Sequence, residues 1–221
     1  MSTRTQIWLG VGFAVLITAL TIAATVLSKG KDGQDVLATT VPALTSADWT
    51  RGKQGAAVTV IEYGDFQCPA CAQYEPIMQK LQAEYGDRVE FGFRNFPLYQ
   101  AHKFASISAR AAEAAGLQGK YWEMHDLLYA NQSKWSVMGS ENEALNLFKT
   151  YAQQVGIDVA QFTKDVDSKQ VSDKINGDVS TANAANVNHT PTFFLNNTQI
   201  PNPKSYDEFK SILDAALAPA Q

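Results

Sequence analysis

Cys68 and Cys71 are the only cysteines in the 221-residue chain, and they stand three residues apart in the segment Cys68-Pro69-Ala70-Cys71. That spacing, on the first turn of a helix, brings two sulfurs within bonding reach, while the free N–H groups and positive potential of the helix N-terminus favour a thiolate. Cys68, further out on the turn, is the expected exposed nucleophile; Cys71, one turn inward, is the expected shielded resolving thiol. The helix dipole contributes at best about 2 kcal/mol, roughly 1.5 units against a thiol near 8.5, so alone it leaves Cys68 near 7. Pro69 and Ala70 carry no charge to push it further. They are candidates for tuning the pair.

Glu62 is a carboxylate inside an apolar strand, six residues before Cys68. Burial there is expensive unless the group is partnered or protonated. Placed beneath the cysteines, it could take or return the proton of Cys71. Thr190-Pro191 opens a late strand, where proline forfeits a ladder hydrogen bond. In a cis geometry the Thr190 backbone would face the cysteines and could pair with an extended substrate chain, although sequence alone does not separate cis from trans.

These residues need elements to hold them. Ala57–Tyr63 reads as a β-branched strand, Gly64-Asp65 as a turn, and the segment from the cysteines to about Tyr85 as a helix kinked at Pro76 and stopped by Gly86. Arg88–Arg94 alternates as a second strand, which makes a βαβ unit with parallel strands. Roughly 90 residues of helical patterning follow, from near Gln100, with start signals at Ser140/Glu143 and Asp158/Gln161. Thr192–Asn196, an Asn-Asn turn and Gln199-Ile200 read as a hairpin. Tyr206, Phe209, Ile212, Leu213, Ala216 and Leu217 mark an amphipathic closing helix.

Ahead of this body, Ile7–Leu27 is a run of 21 residues without a charge, long enough at 1.5 Å per residue to span a bilayer core of roughly 30 Å. An uncleaved transmembrane anchor is expected over 7–27, after a short cytoplasmic tail (1–6) and before a small-residue tether (28–47). A cleavable signal competes poorly, because Ala23-Ala24-Thr25 lies within the apolar run. A formal charge of −4, from 18 basic and 22 acidic residues, shows no nucleic-acid footprint. Two cysteines cannot make a disulfide scaffold or an all-sulfur zinc site, and the 3 histidines (His102, His125, His189) lack paired zinc-ligand spacing. A metal-binding module is therefore the weaker reading.

The chain resembles the DsbA-like family of thioredoxin-fold thiol-disulfide oxidoreductases, in its membrane-anchored branch. The resemblance is carried by AAVTVIEYGDFQCPAC (56–71), FRNFPL (93–98), ARAAEAAG (109–116), QGKYWEMHDLLYANQ (118–132) and TPTFFLN (190–196). It implies an α/β thioredoxin domain (48–97 and 188–221) interrupted by an all-helical insertion (98–187). It also implies Cys68 as nucleophile, Cys71 as resolving cysteine, Glu62 as buried acid and Thr190-Pro191 as the cis-proline loop, without a cofactor. Two positions depart from the family: His189 stands where glycine is common, and Ala70 where oxidising relatives often carry histidine. An imidazole at His189 facing the thiols would compensate. The expected activity is net oxidation of secreted proteins outside the cytoplasmic membrane, with a quinone-linked reoxidase of the DsbB or vitamin K epoxide reductase type as partner. A reductase or isomerase on the same fold, or a redox-inert peptide-binding module, is the alternative.

Overall fold

The computed structural model describes residues 39–219. The expected tail, the apolar run 7–27 and the tether as far as 38 lie outside the described residues. Among those described, no helix is long and apolar enough to cross a membrane.

Five strands form one mixed sheet: β1 (Trp49–Gly52), β2 (Val58–Gly64), β3 (Val89–Asn95), β4 (Thr192–Leu195) and β5 (Thr198–Ile200), in the order β1-β3-β2-β4-β5. β2 and β3 are parallel, and the other pairings are antiparallel. Helix α1 (Pro69–Tyr85) connects β2 to β3 and runs through Pro76 without ending. Strand β2 is central and buried at every position but Thr59, so its near-continuous apolar run suits a strand covered on both faces. One face carries Val60, Phe91 and Phe193 against Met78 and Leu81 of α1 and Phe209 and Leu213 of the closing helix α8 (Tyr206–Leu217). The opposite face packs Ile61, Tyr63 and Phe194 against Ala182 and Ala185.

Six helices fill the interval between β3 and β4: α2 (Ala105–Gly116), α3 (Tyr121–Ala130), α4 (Gln132–Trp135), α5 (Glu141–Gln154), α6 (Val159–Asp165) and α7 (Lys169–Ala184). Alanines 109, 111, 112, 114 and 115 are all buried, so α2 approaches its neighbours closely from every side. A Cβ on Gly116 would meet the Trp49 ring at 2.4 Å, which ties the end of α2 to β1. The helical layer and the cysteines share one apolar cluster that includes Phe66, Cys68, Cys71, Phe93, Tyr121 and Tyr129. Ser140 and Asp158 cap their helices by accepting from Glu143 N, and from Ala160 N and Gln161 N. Asn196 and Asn197 turn the β4–β5 hairpin with φ of 46° and 68°, a left-handed pair that asparagine tolerates.

Two findings revise the sequence reading. The tether does not extend to residue 47, because residues 39–47 are docked on the body. Val41 N donates to Asn197 O (2.9 Å), and Gln199 N donates to Thr39 O (2.8 Å). The Pro42 and Ala43 carbonyls accept from Arg94 (3.0 and 3.1 Å). Strand β1 was also unanticipated, since Trp-Thr-Arg-Gly has no strand-like apolar run. It is held from outside: Trp49 stacks on Tyr121 at 4.8 Å, its Nε1 donates to Glu113 (2.7 Å), and Trp122 Nε1 donates to Thr50 O (2.9 Å).

Arg94 anchors this edge. It is 3% exposed and donates to both oxygens of buried Asp48 (2.8 and 3.0 Å) and to Tyr63 Oη (3.0 Å). Arg94→Met would strand the Asp48 carboxylate and two carbonyls. The expected cost is about 3–5 kcal/mol, read as a lowered urea midpoint.

Candidate active site

The site is assembled where β2 runs out. After Gly64 the chain turns through Asp65, whose carboxylate is 1% exposed. It accepts from Gln67 N (2.7 Å) and Leu98 N (2.9 Å) and bonds His102 Nδ1 (2.7 Å). The Asp65 carbonyl accepts from Cys68 N (3.0 Å). Gln132, on α4, donates to the carbonyls of Phe66 (2.7 Å) and Cys68 (2.9 Å). Asp65 and Gln132 therefore hold the turn that presents the cysteines. Sequence reading passed over both, although an aspartate two residues before a backbone N–H is itself a turn signal.

Cys68 is the N-cap of α1, with φ −69° and ψ 121°, and Pro69 occupies the first turn, where a missing N–H costs nothing. Cys68 is more covered than expected: it retains 6% exposure, against 1% for Cys71. The order of access holds, but the outer sulfur offers only a narrow approach. Both cysteines are free. The Cys68 thiol is lowered from 9.0 to about 5: the hydrogen bond with the Cys71 thiol contributes most, burial opposes, and Thr190 and the amides of Cys71 and Ala70 add to the lowering. The helix end alone accounts for less than half of that shift. Cys71 moves the other way, pushed well above the ordinary thiol value by burial, by its bond with Cys68 and by the negative charge of Glu62.

Glu62 lies within the strand at 6% exposure. Its carboxyl is raised well above the ordinary range by burial, then by the charges of Glu75 and Cys68. That shift favours the neutral carboxyl, so burial and its neighbours oppose a second negative charge beside a Cys68 thiolate. Thr190-Pro191 is a cis peptide, and the Thr190 carbonyl lies 3.4 Å from Cys68 Sγ. The fold thus gathers Glu62, Cys68, Pro69, Ala70, Cys71, Thr190 and Pro191 in one place, from β2, α1 and the start of β4.

His189 does not join them. It is exposed, and its Nδ1 bonds Asn188 Oδ1 (2.9 Å). Among the described residues no imidazole is one of the main causes that lower Cys68; the Cys71 thiol and Thr190 do what the histidine was expected to do. The three histidines are bonded apart, to Asp65, Asp126 and Asn188. The one group of three metal-capable side chains found among the described residues is Glu75, His125 and Asp126, without either cysteine. Asp126 there is already held by Arg51 through two contacts (2.6 and 2.7 Å).

Comparison with known proteins agrees with this geometry. The sequence pattern of the family described as Thioredoxin matches residues 45–215. The chain is 34% identical over 221 residues to the probable disulfide bond formation protein D of Bacillus cereus, with 95% of each chain covered. It is 36% identical over 181 residues to the Na(+)/H(+) antiporter NhaA 3 of Salinispora tropica, covering 82% of this chain but 26% of the antiporter. The chain thus spans about a quarter of the length of such antiporter relatives. Among solved structures it resembles oxidised BdbD from Bacillus subtilis (TM-score 0.67, 26% identity, 81% of this chain and 98% of that one). It also shares its fold with alpha-DsbA1 of Wolbachia pipientis (TM-score 0.69, 21% identity, 78% of this chain and 92% of that one). With its thioredoxin-type sheet, its Cys-Pro-Ala-Cys helix end and its full-length likeness to a disulfide bond formation protein, the chain belongs to the thioredoxin family, among the DsbA-like thiol-disulfide oxidoreductases.

Proposed function

We propose that the chain is an extracytoplasmic thiol-disulfide oxidoreductase that acts as a net oxidase, introducing disulfides into secreted proteins. The observation that carries this reading is the placement of Cys68 at the N-cap of α1 with the Cys71 thiol beneath it, an arrangement that lowers the Cys68 thiol to about 5. A stabilised thiolate favours the dithiol form and so makes the disulfide form a strong oxidant. The relatives named for disulfide bond formation support the same direction.

In the proposed cycle a substrate thiolate attacks Cys68 Sγ of the oxidised enzyme. The Cys68–Cys71 bond breaks, a mixed disulfide forms, and Cys71 leaves as a thiolate that takes a proton from Glu62. A second substrate thiolate attacks the substrate sulfur of the mixed disulfide and releases Cys68, already stable as an anion. The substrate is oxidised by two electrons and the enzyme disulfide is reduced by two. The Thr190-Pro191 backbone beside Cys68 is the proposed docking edge for an extended substrate segment. Turnover requires reoxidation, for which the proposed partner is a membrane quinone-linked reoxidase of the DsbB or vitamin K epoxide reductase type. The apolar run 7–27 is the proposed anchor, with the catalytic body outside.

Equilibration against glutathione redox buffers tests the direction. A potential close to the roughly −120 mV of a dedicated oxidant is expected. A value near the roughly −270 mV of a reductant would overturn the oxidase reading and favour a reductase on the same site.

A further inference from the structure

The resolving thiol has a proton problem that the cysteine motif does not solve. Cys71 is 1% exposed and Glu62 6%, and the raised carboxyl of Glu62 owes its position to burial and neighbouring charge rather than to a hydrogen bond. A proton exchanged between them needs a way to and from solvent. Behind Glu62 lies a narrow cavity of ≈ 10 Å³ walled by Phe91 and Phe93 and lined by four polar side chains, Glu62, Glu75, Gln82 and His125. That is about the least space that admits one water, and the polar partners a water requires are there.

Beyond the cavity the polar groups continue outward. His125 Nδ1 lies 3.9 Å from Glu75 Oε1 and 3.0 Å from Asp126 Oδ1. Asp126 is paired with Arg51 and has a side chain 38% exposed. Rings crowd the imidazole: Phe93 at 4.9 Å, Trp122 and Tyr129 at 5.0 Å, Phe66 at 5.3 Å. The charged and titratable groups around His125 are thus Glu75 from α1, Asp126, Tyr121 and Tyr129 from α3, Arg51 from β1 and, across the cavity, Glu62 from β2. Burial of a histidine at 2% exposure among aromatics, with the Glu75 and Asp126 carboxylates both beside its Nδ1, is a costly arrangement for packing alone.

Resting on the thiol-exchange reading above, we infer that His125 and Glu75 form the proton outlet of the site, joining the Glu62–Cys71 pair to solvent at Asp126. When Cys71 leaves as a thiolate it takes the Glu62 proton. Glu62 is reprotonated through the cavity from the Glu75–His125 pair, and that pair recovers its proton from solvent at Asp126. Oxidation of the dithiol runs the same transfers in reverse. The helical insertion thereby supplies a working part of the thioredoxin half, since α3 carries both His125 and Asp126.

The test uses the reduced full chain mixed rapidly with oxidised glutathione and acid-quenched for mass spectrometry. This separates formation of the Cys68–glutathione mixed disulfide from its resolution by Cys71. In His125→Gln and Glu75→Gln the formation rate is expected to match the unaltered chain. Resolution is expected to slow about tenfold between pH 6 and 7, with a solvent deuterium effect that the unaltered chain lacks. Glu75→Gln leaves the aromatic enclosure intact, so it guards against a merely structural effect of the histidine change. Resolution at the unaltered rate in either variant overturns the inference. So does slowing of equal size at every pH without a deuterium effect. Failure of the unaltered chain to form a mixed disulfide at all would instead overturn the thiol-exchange reading on which the inference rests.

Discussion

Cys71→Ser is expected to accumulate as a covalent adduct with its substrates, while Cys68→Ser forms none and loses disulfide exchange by at least about a thousandfold. The two cysteines are chemically alike in sequence, and the fold makes them opposites. Cys68, lowered to about 5, is almost wholly thiolate at neutral pH and keeps the only approach. Cys71, pushed far above the usual thiol value and 1% exposed, is an unreactive neutral thiol until a sulfur bonded to Cys68 arrives beside it. Without Cys71, the Cys68 thiolate still attacks a substrate disulfide. The other half of that disulfide departs as a thiolate, and no internal sulfur remains to break the new bond. Adducts retained on non-reducing gels and released by dithiothreitol check the expectation. Adducts formed by Cys68→Ser through Cys71 would show that the roles are exchanged.

The second large effect is on pH dependence. The Cys68 value in the folded chain, about 5, lies below the 9.0 of an unperturbed thiol, so ionisation favours the folded dithiol form. That stabilisation is complete above about pH 9, shrinks as the pH falls and is gone once the pH has passed below about 5. At pH 7 about two units of the gap are realised, or roughly 3 kcal/mol. For a two-electron couple that corresponds to about 60 mV of added oxidising power. The disulfide form has no thiol to ionise and lacks this dependence. The reduced chain is therefore expected to melt above the oxidised chain at pH 7, with the difference closing toward pH 5. Thiolate absorbance at 240 nm on the reduced chain, with Cys68→Ser as blank, should titrate with a midpoint near 5. A midpoint near 8.5 would remove the basis of the oxidase reading.

Much of the site is legible in the residues because its signals are local. Two cysteines at a strand-to-helix junction, a proline in the first helical turn and a carboxylate inside an apolar strand each state their placement within a few positions. The Asn-Asn hairpin, the capping residues Ser140 and Asp158 and the strand β2 are local in the same sense, since helix ends and tight turns satisfy their backbone groups from neighbours in the chain. The cis-proline loop came from resemblance, because no local pattern distinguishes the two isomers at Thr190-Pro191.

Other features depend on partners far away along the chain. Asp65 receives Leu98 and His102, Gln132 reaches back to Phe66 and Cys68, and the stretch after Thr39 is docked by Arg94 and by the β4–β5 hairpin. Strand β1 exists because α2 and α3 hold it. The step in Cys68 from near 7 to about 5 comes from Thr190 and from the relative placement of the two sulfurs, which only closure of the sheet sets. Residue types and spacing determined which groups carry the chemistry. Tertiary structure decided how acidic each becomes and by what route its proton travels, because burial and through-space charge depend on neighbours that adjacency in sequence does not encode.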